Sequence, residues 1–436
     1  MRKFTITEQI SLISQYITNY RSVEAFPYLS REEIREYQFQ KIQRLVDIAY
    51  RQTDFYHKKY SEAGIHPRDI QTWGDFKELP IITKDEVIEF GLDMVDRRRK
   101  PSDLIVSRSS GSSGRFVNLY FDAQHFITQE LQVIRMLKEF YPAYNLFDTE
   151  LLIYTSEYPF SSIAGFYKVF YVNNLLPVDE IIAAIRRVRP AIVAVYPSIL
   201  REVIDRFEGD CRSFGVKAVI TNSEHSSQME RDNFSEVLGC PVFDEYSSEE
   251  ISGLAHQCVH ENYHLVQDCS FIELLDPHGD IEVGVGQEGE IVGTSLINFS
   301  MPLIRYRQGD LAVMSANECA CGKTTPFFER LAGRKNSSFK RPDNSYIPSG
   351  RVLDWTYDLV LSLELDIREF QVTQKTLTDV EIVIVPGNRY NPESDNVKIM
   401  NSFQDTFSQE FKVSVDQVEK IRKTKTGKHI PIRSLV

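Results

Sequence analysis

Long apolar runs are missing from this 436-residue chain, and none approaches the roughly 18 residues that a membrane-spanning helix needs. The opening residues, Met1-Arg2-Lys3-Phe4-Thr5-Ile6-Thr7-Glu8-Gln9, break their apolar character too early for a secretory signal. Cysteine is scarce, with six in the whole chain, so a disulfide framework is not expected and a reducing cytoplasm is the expected compartment. Positive charge is in deficit: 50 Lys and Arg stand against 62 Asp and Glu, a balance of −12. That argues against a nucleic-acid partner, because such proteins usually carry a basic stripe. Internal repeats and low-complexity tracts are lacking too. The remaining composition, 42% hydrophobic and 26% charged, is ordinary for a soluble globular protein. The length exceeds what one hydrophobic core serves, so two or more domains are expected.

Apolar spacing predicts a helix over 31–60, with Ile34, Phe39, Ile42, Leu45, Val46 and Ala49 recurring at near-helical intervals. Between 116 and 245 strands alternate with helices. Leu151–Tyr154, Ala191–Val195 and Lys217–Thr221 read as strands, and Val178–Val188, Pro197–Phe207 and Ser226–Leu238 as helices. Continuous apolar strands of this kind predict a mostly parallel sheet flanked by helices. From about 263 to 314 shorter strands, split by Gly and Pro, suggest a small antiparallel or barrel-like subregion. A boundary is placed near Gly333-Arg334-Lys335-Asn336-Ser337-Ser338. Beyond it, the apolar run Val380–Val385, a helix over about 394–411 and a basic tail make a small α+β unit. The expected organisation is therefore an α/β protein with a large unit, 1–333, and a small mobile unit, 334–436.

Four segments carry chemistry. The first is Ser107-Arg108-Ser109-Ser110-Gly111-Ser112-Ser113-Gly114-Arg115, between an apolar run and a β-prone stretch. Its glycines let backbone come close to a ligand, and its hydroxyls, N–H groups and arginines suit phosphate oxygens. It is not a Walker A loop, since no Lys follows the last Gly. The second is Phe243-Asp244-Glu245-Tyr246-Ser247-Ser248-Glu249-Glu250 and the third Leu303-Ile304-Arg305-Tyr306-Arg307-Gln308-Gly309-Asp310. The fourth is the tail Lys423-Thr424-Lys425-Thr426-Gly427-Lys428. Each alone reads most simply as a turn, a packing residue or a solvated face. Together they supply what a nucleotide attacked at its α-phosphate needs. The loop holds the outgoing phosphates, Tyr246 offers a flat face for a base, and Asp310 accepts from ribose hydroxyls. Glu250 suits Mg²⁺, a hard ion that prefers carboxylate and phosphate oxygens. Lys428 neutralises the charge that develops where a carboxylate meets phosphorus.

In this order the segments resemble the adenylate-forming superfamily, and within it the branch of phenylacetate–CoA ligase, coenzyme F390 synthetase and CapK-like proteins. Phe55-Tyr56-His57-Lys58-Lys59-Tyr60, Gly64-Ile65-His66-Pro67 and Leu79-Pro80-Ile81-Ile82-Thr83-Lys84 are similar to that branch's N-terminal region, so the likeness spans nearly the whole chain. It implies that Ser109, Ser110, Gly111, Ser112, Ser113 and Gly114 wrap the β- and γ-phosphates. Asn222, Ser223 and Glu224 would line the adenine side, with Tyr246 stacked on the base and Asp244 near its amino group. Glu245, Ser247, Ser248 and Arg307 belong to the same nucleotide-binding segments. Asp310 would hold the ribose, Arg334 a phosphate or ribose oxygen, Glu250 the Mg²⁺, and Lys428 would drive adenylation. Catalysis would rest on Lys428, Glu250 and Arg334. The implied reaction is ATP-dependent activation of a carboxylic acid, aryl or aryl-acetic in type, followed by transfer to a thiol. Coenzyme A is the expected thiol. The alternatives are the phosphopantetheine of an acyl carrier protein, an amine, or a nucleotide-binding scaffold without catalysis.

Four residues, at three places in the chain, depart from the family pattern. Ser247 stands where Gly is usual, Glu249 where Thr or Ser precedes the magnesium-binding Glu, and Asn336 and Ser337 where the hinge usually has Asp. Either Glu249 turns away from phosphate or it takes the magnesium role. Separately, Cys258, His264, Cys319 and Cys321 form a Cys₃His set suited to a structural tetrahedral Zn²⁺, with His256 and His260 as rival ligands. The competing reading is three buried small hydrophobes and a surface histidine. Cys211, Cys240 and Cys269 read as packing residues. Monomer and homodimer are both open, and the aromatic residues, 11% of the chain, permit an aryl pocket without selecting one. Tyr154, Phe160, Phe166, Tyr196 and Ile251–Ala255 are its expected walls.

Overall fold

The structure, a computed structural model, describes residues 2–109, 117–155, 157–160, 162, 165–277, 279–343, 345–361, 363–424 and 428–436, without the side chains of 108, 109, 336, 354, 357, 358 and 361. Its nineteen described strands are, in chain order, β1 (Ile105–Ser109), β2 (Val117–Phe121), β3 (Thr149–Tyr154), β4 (Lys168–Asn173), β5 (Ile192–Val195), β6 (Ala218–Asn222), β7 (Val242–Ser248), β8 (Ser252–Gln257), β9 (Tyr263–Leu265) and β10 (Ser270–Leu275), then β11 (Glu288–Ser295), β12 (Tyr306–Met314), β13 (Phe327–Arg334), β14 (Phe339–Lys340), β15 (Tyr346–Ile347), β16 (Ile367–Gln374), β17 (Asp379–Pro386), β18 (Lys412–Gln417) and β19 (Ile432–Ser434).

Eleven of them form one sheet, ordered β10-β11-β12-β13-β9-β8-β7-β6-β5-β3-β4. From β4 to β7 neighbours run parallel, and from β7 onward they run antiparallel. The central parallel strands are buried on both faces, as Ile192-Val193-Ala194-Val195 illustrates, whereas the edge strand β4 leaves Phe170 exposed. One cover is the helix Ala123–Phe140, whose Phe140 ring stacks on Phe243 of β7 with centroids 3.8 Å apart. The fold is thus α/β with a parallel sheet flanked by helices. The antiparallel half is hydrogen-bonded to the parallel half rather than standing apart as a separate barrel. It curls enough that Ala255, Leu265, Leu274, Ile291, Ala312 and Phe328 share one apolar cluster.

The predicted helix over 31–60 is two helices, Arg31–Gln52 and Asp54–Glu62. Thr53 divides them: it is extended, and its hydroxyl accepts from the Tyr56 N–H to cap the second helix. The helices near 178, 197 and 226 appear as Val178–Val188, Pro197–Arg206 and Gln228–Leu238.

Residues from Phe339 to Ile432 build a hydrophobic cluster of their own around a four-stranded sheet, β18-β17-β16-β19. Gly333 sits where the chain leaves the large sheet, at φ 86°. A Cβ there would lie 2.2 Å from Ser349 Oγ and 2.8 Å from the Gly350 nitrogen, so the helix Ser349–Leu361 packs against bare backbone. No described helix is long and apolar enough to cross a membrane.

Candidate active site and metal centre

The second chemical segment runs along β7 and the third leads into β12, strands that β13, β9 and β8 separate in the sheet but whose Tyr246 and Asp310 side chains meet, and the tail arrives from the small sheet. Tyr246, half-buried near the end of β7, donates its hydroxyl to Asp310 Oδ2 at 2.7 Å, and its ring meets Phe328 edge-on at 6.2 Å. Asp310 Oδ1 pairs with Arg334 Nε at 3.2 Å across β12 and β13, where the two residues are register partners. That carboxylate is the largest influence holding the Arg334 guanidinium charged. Tyr306 donates to Glu250 Oε1 over a long 3.4 Å. Glu249 turns the other way and accepts from Ser107 Oγ at 2.7 Å. The base of the Ser/Gly segment therefore stands beside the acidic pair. β1 and β2, on either side of this segment, are antiparallel partners, with Ser109 opposite Val117. Ser110, Gly111, Ser112, Ser113 and Gly114 lie outside the described residues, as does the side chain of Ser109.

Lys428 reaches this group from the tail. Its ammonium lies 5.6 Å from the centre of the Tyr196 ring. Burial lowers its pKa from the ordinary 10.5; Glu249, Glu224 and Glu250 push back, while Arg334 adds to the lowering. The tail is pinned at three places. Glu224 Oε1 accepts from the His429 N–H at 2.7 Å, while the same carboxylate takes the Ser198 N–H and hydroxyl at 3.0 and 3.1 Å. His429 Nε2 meets the Phe370 carbonyl at 2.9 Å, and Lys423 pairs with Glu202. Burial raises the Glu224 carboxyl, and the bonds from His429 and Ser198 oppose that rise.

Other expected nucleotide ligands are engaged elsewhere. Asp244 is buried and accepts from Thr221 at 2.7 Å and Tyr263 at 2.9 Å. Arg307 points away from Asp310, to Glu290 at 2.5 Å and Asp280 at 2.7 Å, because successive strand residues face opposite ways. Asn222 and Glu245 share the sheet face opposite Tyr246. Ser223 is exposed at φ 66°. Ser248 accepts from the Ile251 N–H at 3.1 Å and closes the turn into β8, with Ser247 paired to Gly253. Asn336 and Ser337 fall in a 3₁₀ turn, Lys335–Ser337. The docking contacts of Glu224 and Glu202 carried no sequence signal, since their tail partners His429 and Lys423 stand 205 and 221 residues away.

Cys258, His264, Cys319 and Cys321 converge, their ligand atoms all lying within 4.8 Å of one another. Cys258 and Cys319 sulfurs are 3.7 Å apart, close to the roughly 3.8 Å edge of a tetrahedron built on zinc–sulfur bonds of about 2.3 Å. Cys321 Sγ lies 3.2 Å from His264 Nε2, and the other ring nitrogen meets Thr325 O at 2.9 Å, which fixes the ring. The Asn262 amide donates to Cys319 Sγ at 3.1 Å. His256 lies instead 3.9 Å from Glu245, and His260 reaches Cys258 through its backbone N–H.

Residues 342–434 match the CapK C-terminal domain family. The chain is 25% identical over 327 residues to the phenylacetate-coenzyme A ligase of Thermus thermophilus, covering 70% of this chain and 71% of that one. It is 20% identical over 416 residues to protein CapK of Staphylococcus aureus, covering 91% and 88%. Among solved structures, 2-hydroxyisobutyryl-CoA ligase in the postadenylation state in complex with R3-HIB-AMP superposes with a TM-score of 0.78 at 18% identity, over 94% of this chain and 90% of that one. The score is 0.64 at 20% identity, with the same coverage, for that ligase in its thioesterification state. The fold is that of the adenylate-forming acyl-CoA ligases. In sequence, the chain is similar to phenylacetate-CoA ligase and to CapK.

Proposed function

We propose that this protein is an ATP-dependent, AMP-forming ligase that joins a carboxylic acid to coenzyme A. The observation that carries the reading is the arrival of Lys428 at a cleft edged by Glu249, Glu250 and the Tyr246–Asp310–Arg334 chain. In the first half-reaction a carboxylate oxygen attacks the α-phosphorus of ATP, and pyrophosphate leaves with the bond's electron pair. Lys428 offsets the negative charge on the entering and non-bridging oxygens. Tyr246 gives the base a flat surface, Asp310 accepts from the ribose, and Arg334 joins sugar to phosphate. In the second half-reaction the thiol sulfur attacks the acyl carbon, AMP leaves, and the thiol proton passes to solvent. Residues 334–436 act as the lid that brings Lys428 in and withdraws it between the two steps.

Mg²⁺ is assigned to Glu250. Its carboxylate has only the long Tyr306 contact among the described residues, whereas Glu249 is taken up by Ser107 and faces Lys428. When bound, the ion screens the phosphate oxygens. Acid-dependent exchange of labelled pyrophosphate into ATP, followed by an acceptor assay with free coenzyme A, tests the function. Exchange and thioester formation are expected, and thioester formation only on a carrier protein would replace the coenzyme A assignment. Asp310→Ala is expected to raise KM for ATP about 10–100-fold, from the loss of a charged hydrogen-bond acceptor and the release of Arg334. An unchanged KM would remove Asp310 from the ribose.

The Cys₃His cluster is assigned a structural Zn²⁺, because four N and S ligands close the coordination shell. Mass spectrometry of the metal content is expected to find about one zinc per chain, falling to near zero in Cys258→Ser/Cys319→Ser, with a lower unfolding midpoint. Full zinc content in the double variant would move the ion elsewhere.

A further inference from the structure

The sheet beside the cleft presents two faces with different chemistry. On one, Tyr246 is joined to Asp310, and Thr221 and Tyr263 satisfy Asp244. On the other, Asn222, Glu245 and His256 are consecutive register partners on β6, β7 and β8. This second face is closed from water: Asn222 is 7% exposed and Glu245 8%.

Its polar groups are short of donors. Asn222 gives its amide N–H to the Tyr154 hydroxyl at 2.7 Å, but its Oδ1 is buried with no partner among the described residues. Its nitrogen also faces Glu245 Oε2 at 3.5 Å, which favours this orientation of the amide while Glu245 is ionised. Glu245 itself has that 3.5 Å contact, His256 at 3.9 Å and the Ser247 hydroxyl. Burial pushes its carboxyl up to about 7. An orphaned acceptor of this kind costs stability in the empty protein and rewards any ligand that brings a donor.

These acceptors connect to the reacting end through aromatic rings. Lys428 lies over Tyr196, the Tyr196 and Tyr154 ring centres are 5.4 Å apart, and the Tyr154 hydroxyl bonds Asn222. Tyr158, 6.1 Å from Tyr154, feels the charge of both Glu249 and Glu245, so it lies between the phosphate end and the closed end. Three tyrosine rings therefore lie between Lys428 and the two acceptors, flat apolar surfaces with polar groups at the far end.

We propose that the acid this enzyme activates is aromatic and carries a hydroxyl or amino group remote from its carboxylate, received by Asn222 Oδ1 and Glu245. The inference rests on the ligase reading and narrows its substrate. It also moves Asn222 and Glu245 from the nucleotide to the acid.

The test is acid-dependent pyrophosphate exchange with benzoates and phenylacetates bearing hydroxyl, amino, methyl or hydrogen at the 3- or 4-position, and with straight-chain and branched aliphatic acids beside them. The best hydroxyl or amino acid is expected to exceed its methyl and unsubstituted counterparts by about 100-fold or more in kcat/KM, since a site built around buried acceptors rejects a substrate without the donor. Which of the two donors wins names the group. Asn222→Leu, with Asn222→Ala as the smaller change, is expected to shrink that ratio below about tenfold while leaving KM for ATP within about twofold. Equal or better exchange with methyl or unsubstituted acids overturns the inference and leaves the ligase reading intact. So does exchange confined to aliphatic acids, or a rise in KM for ATP with the acid preference unchanged. Absence of exchange with every acid overturns both.

Discussion

Lys428→Ala is expected to slow acyl-adenylate formation by about 10²–10³-fold, the usual loss when one electrostatic donor to a developing charge is removed. Thioester formation from a supplied acyl-adenylate should stay within a few-fold of the parent protein, since Lys428 has no part in thiol attack. Single-turnover measurement of each half-reaction separates the two. An equal loss in both would make Lys428 a folding or docking residue instead. The lysine's surroundings add a pH signature. The ammonium form is required, and burial has lowered its pKa from 10.5. Adenylation should therefore fall as pH rises through a value below that of an ordinary lysine, and Lys428→Arg should move this limb to higher pH. An alkaline limb unchanged in the arginine variant would assign it to another group.

Arg305 is expected to give the largest loss of stability. Its guanidinium is forked onto Glu273 with both bonds at 3.1 Å, and the pair's side chains are 5% and 1% exposed. The same group donates to the carbonyls of Lys77 and Leu79, and the Arg305 N–H donates to Thr294 Oγ1 at 2.9 Å. One residue thus ties the stretch before Ile82 to the antiparallel half of the sheet, directly ahead of Tyr306 and Asp310. Arg305→Met strands a buried carboxylate and should cost about 3–5 kcal/mol in denaturant unfolding. Arg305→Met with Glu273→Met should recover more than half of that, because the charge needing a partner is then gone. A double variant as weak as the single one would place the stability in the carbonyl contacts.

Much of this was legible in the sequence, for reasons that differ by element. The parallel strands announce themselves as unbroken apolar runs, and Gly309-Asp310 and Tyr246 stand out because their neighbours are polar. The Cys₃His set could be read because two of its members are one residue apart. Other features were hidden. The helix Ile6–Ala25 escaped notice, although Thr5 and Glu8 form a full capping box, because its apolar residues are spread around it and Ile6, Ile10 and Ile17 remain exposed. Thr53 breaks a continuous helical pattern through one side-chain bond, which periodicity cannot register. The basic tail looked solvated, yet Ile432–Ser434 lies parallel to β16 as an edge strand. Arg305 and Arg307 looked alike in the sequence, and only the fold shows Arg305, just ahead of β12 at φ 52°, paired with Glu273 and Arg307, inside β12, with Glu290.

Glu224 has a consequence for timing. While the tail is seated, this carboxylate is filled by donors from two parts of the chain, His429 and Ser198. In the lid movement proposed above, withdrawing the tail would strip one of them and rehydrate a crowded anion before the second chemistry began. The same contact would then act as a brake, keeping the unstable mixed anhydride shut away from solvent until the seat was vacated.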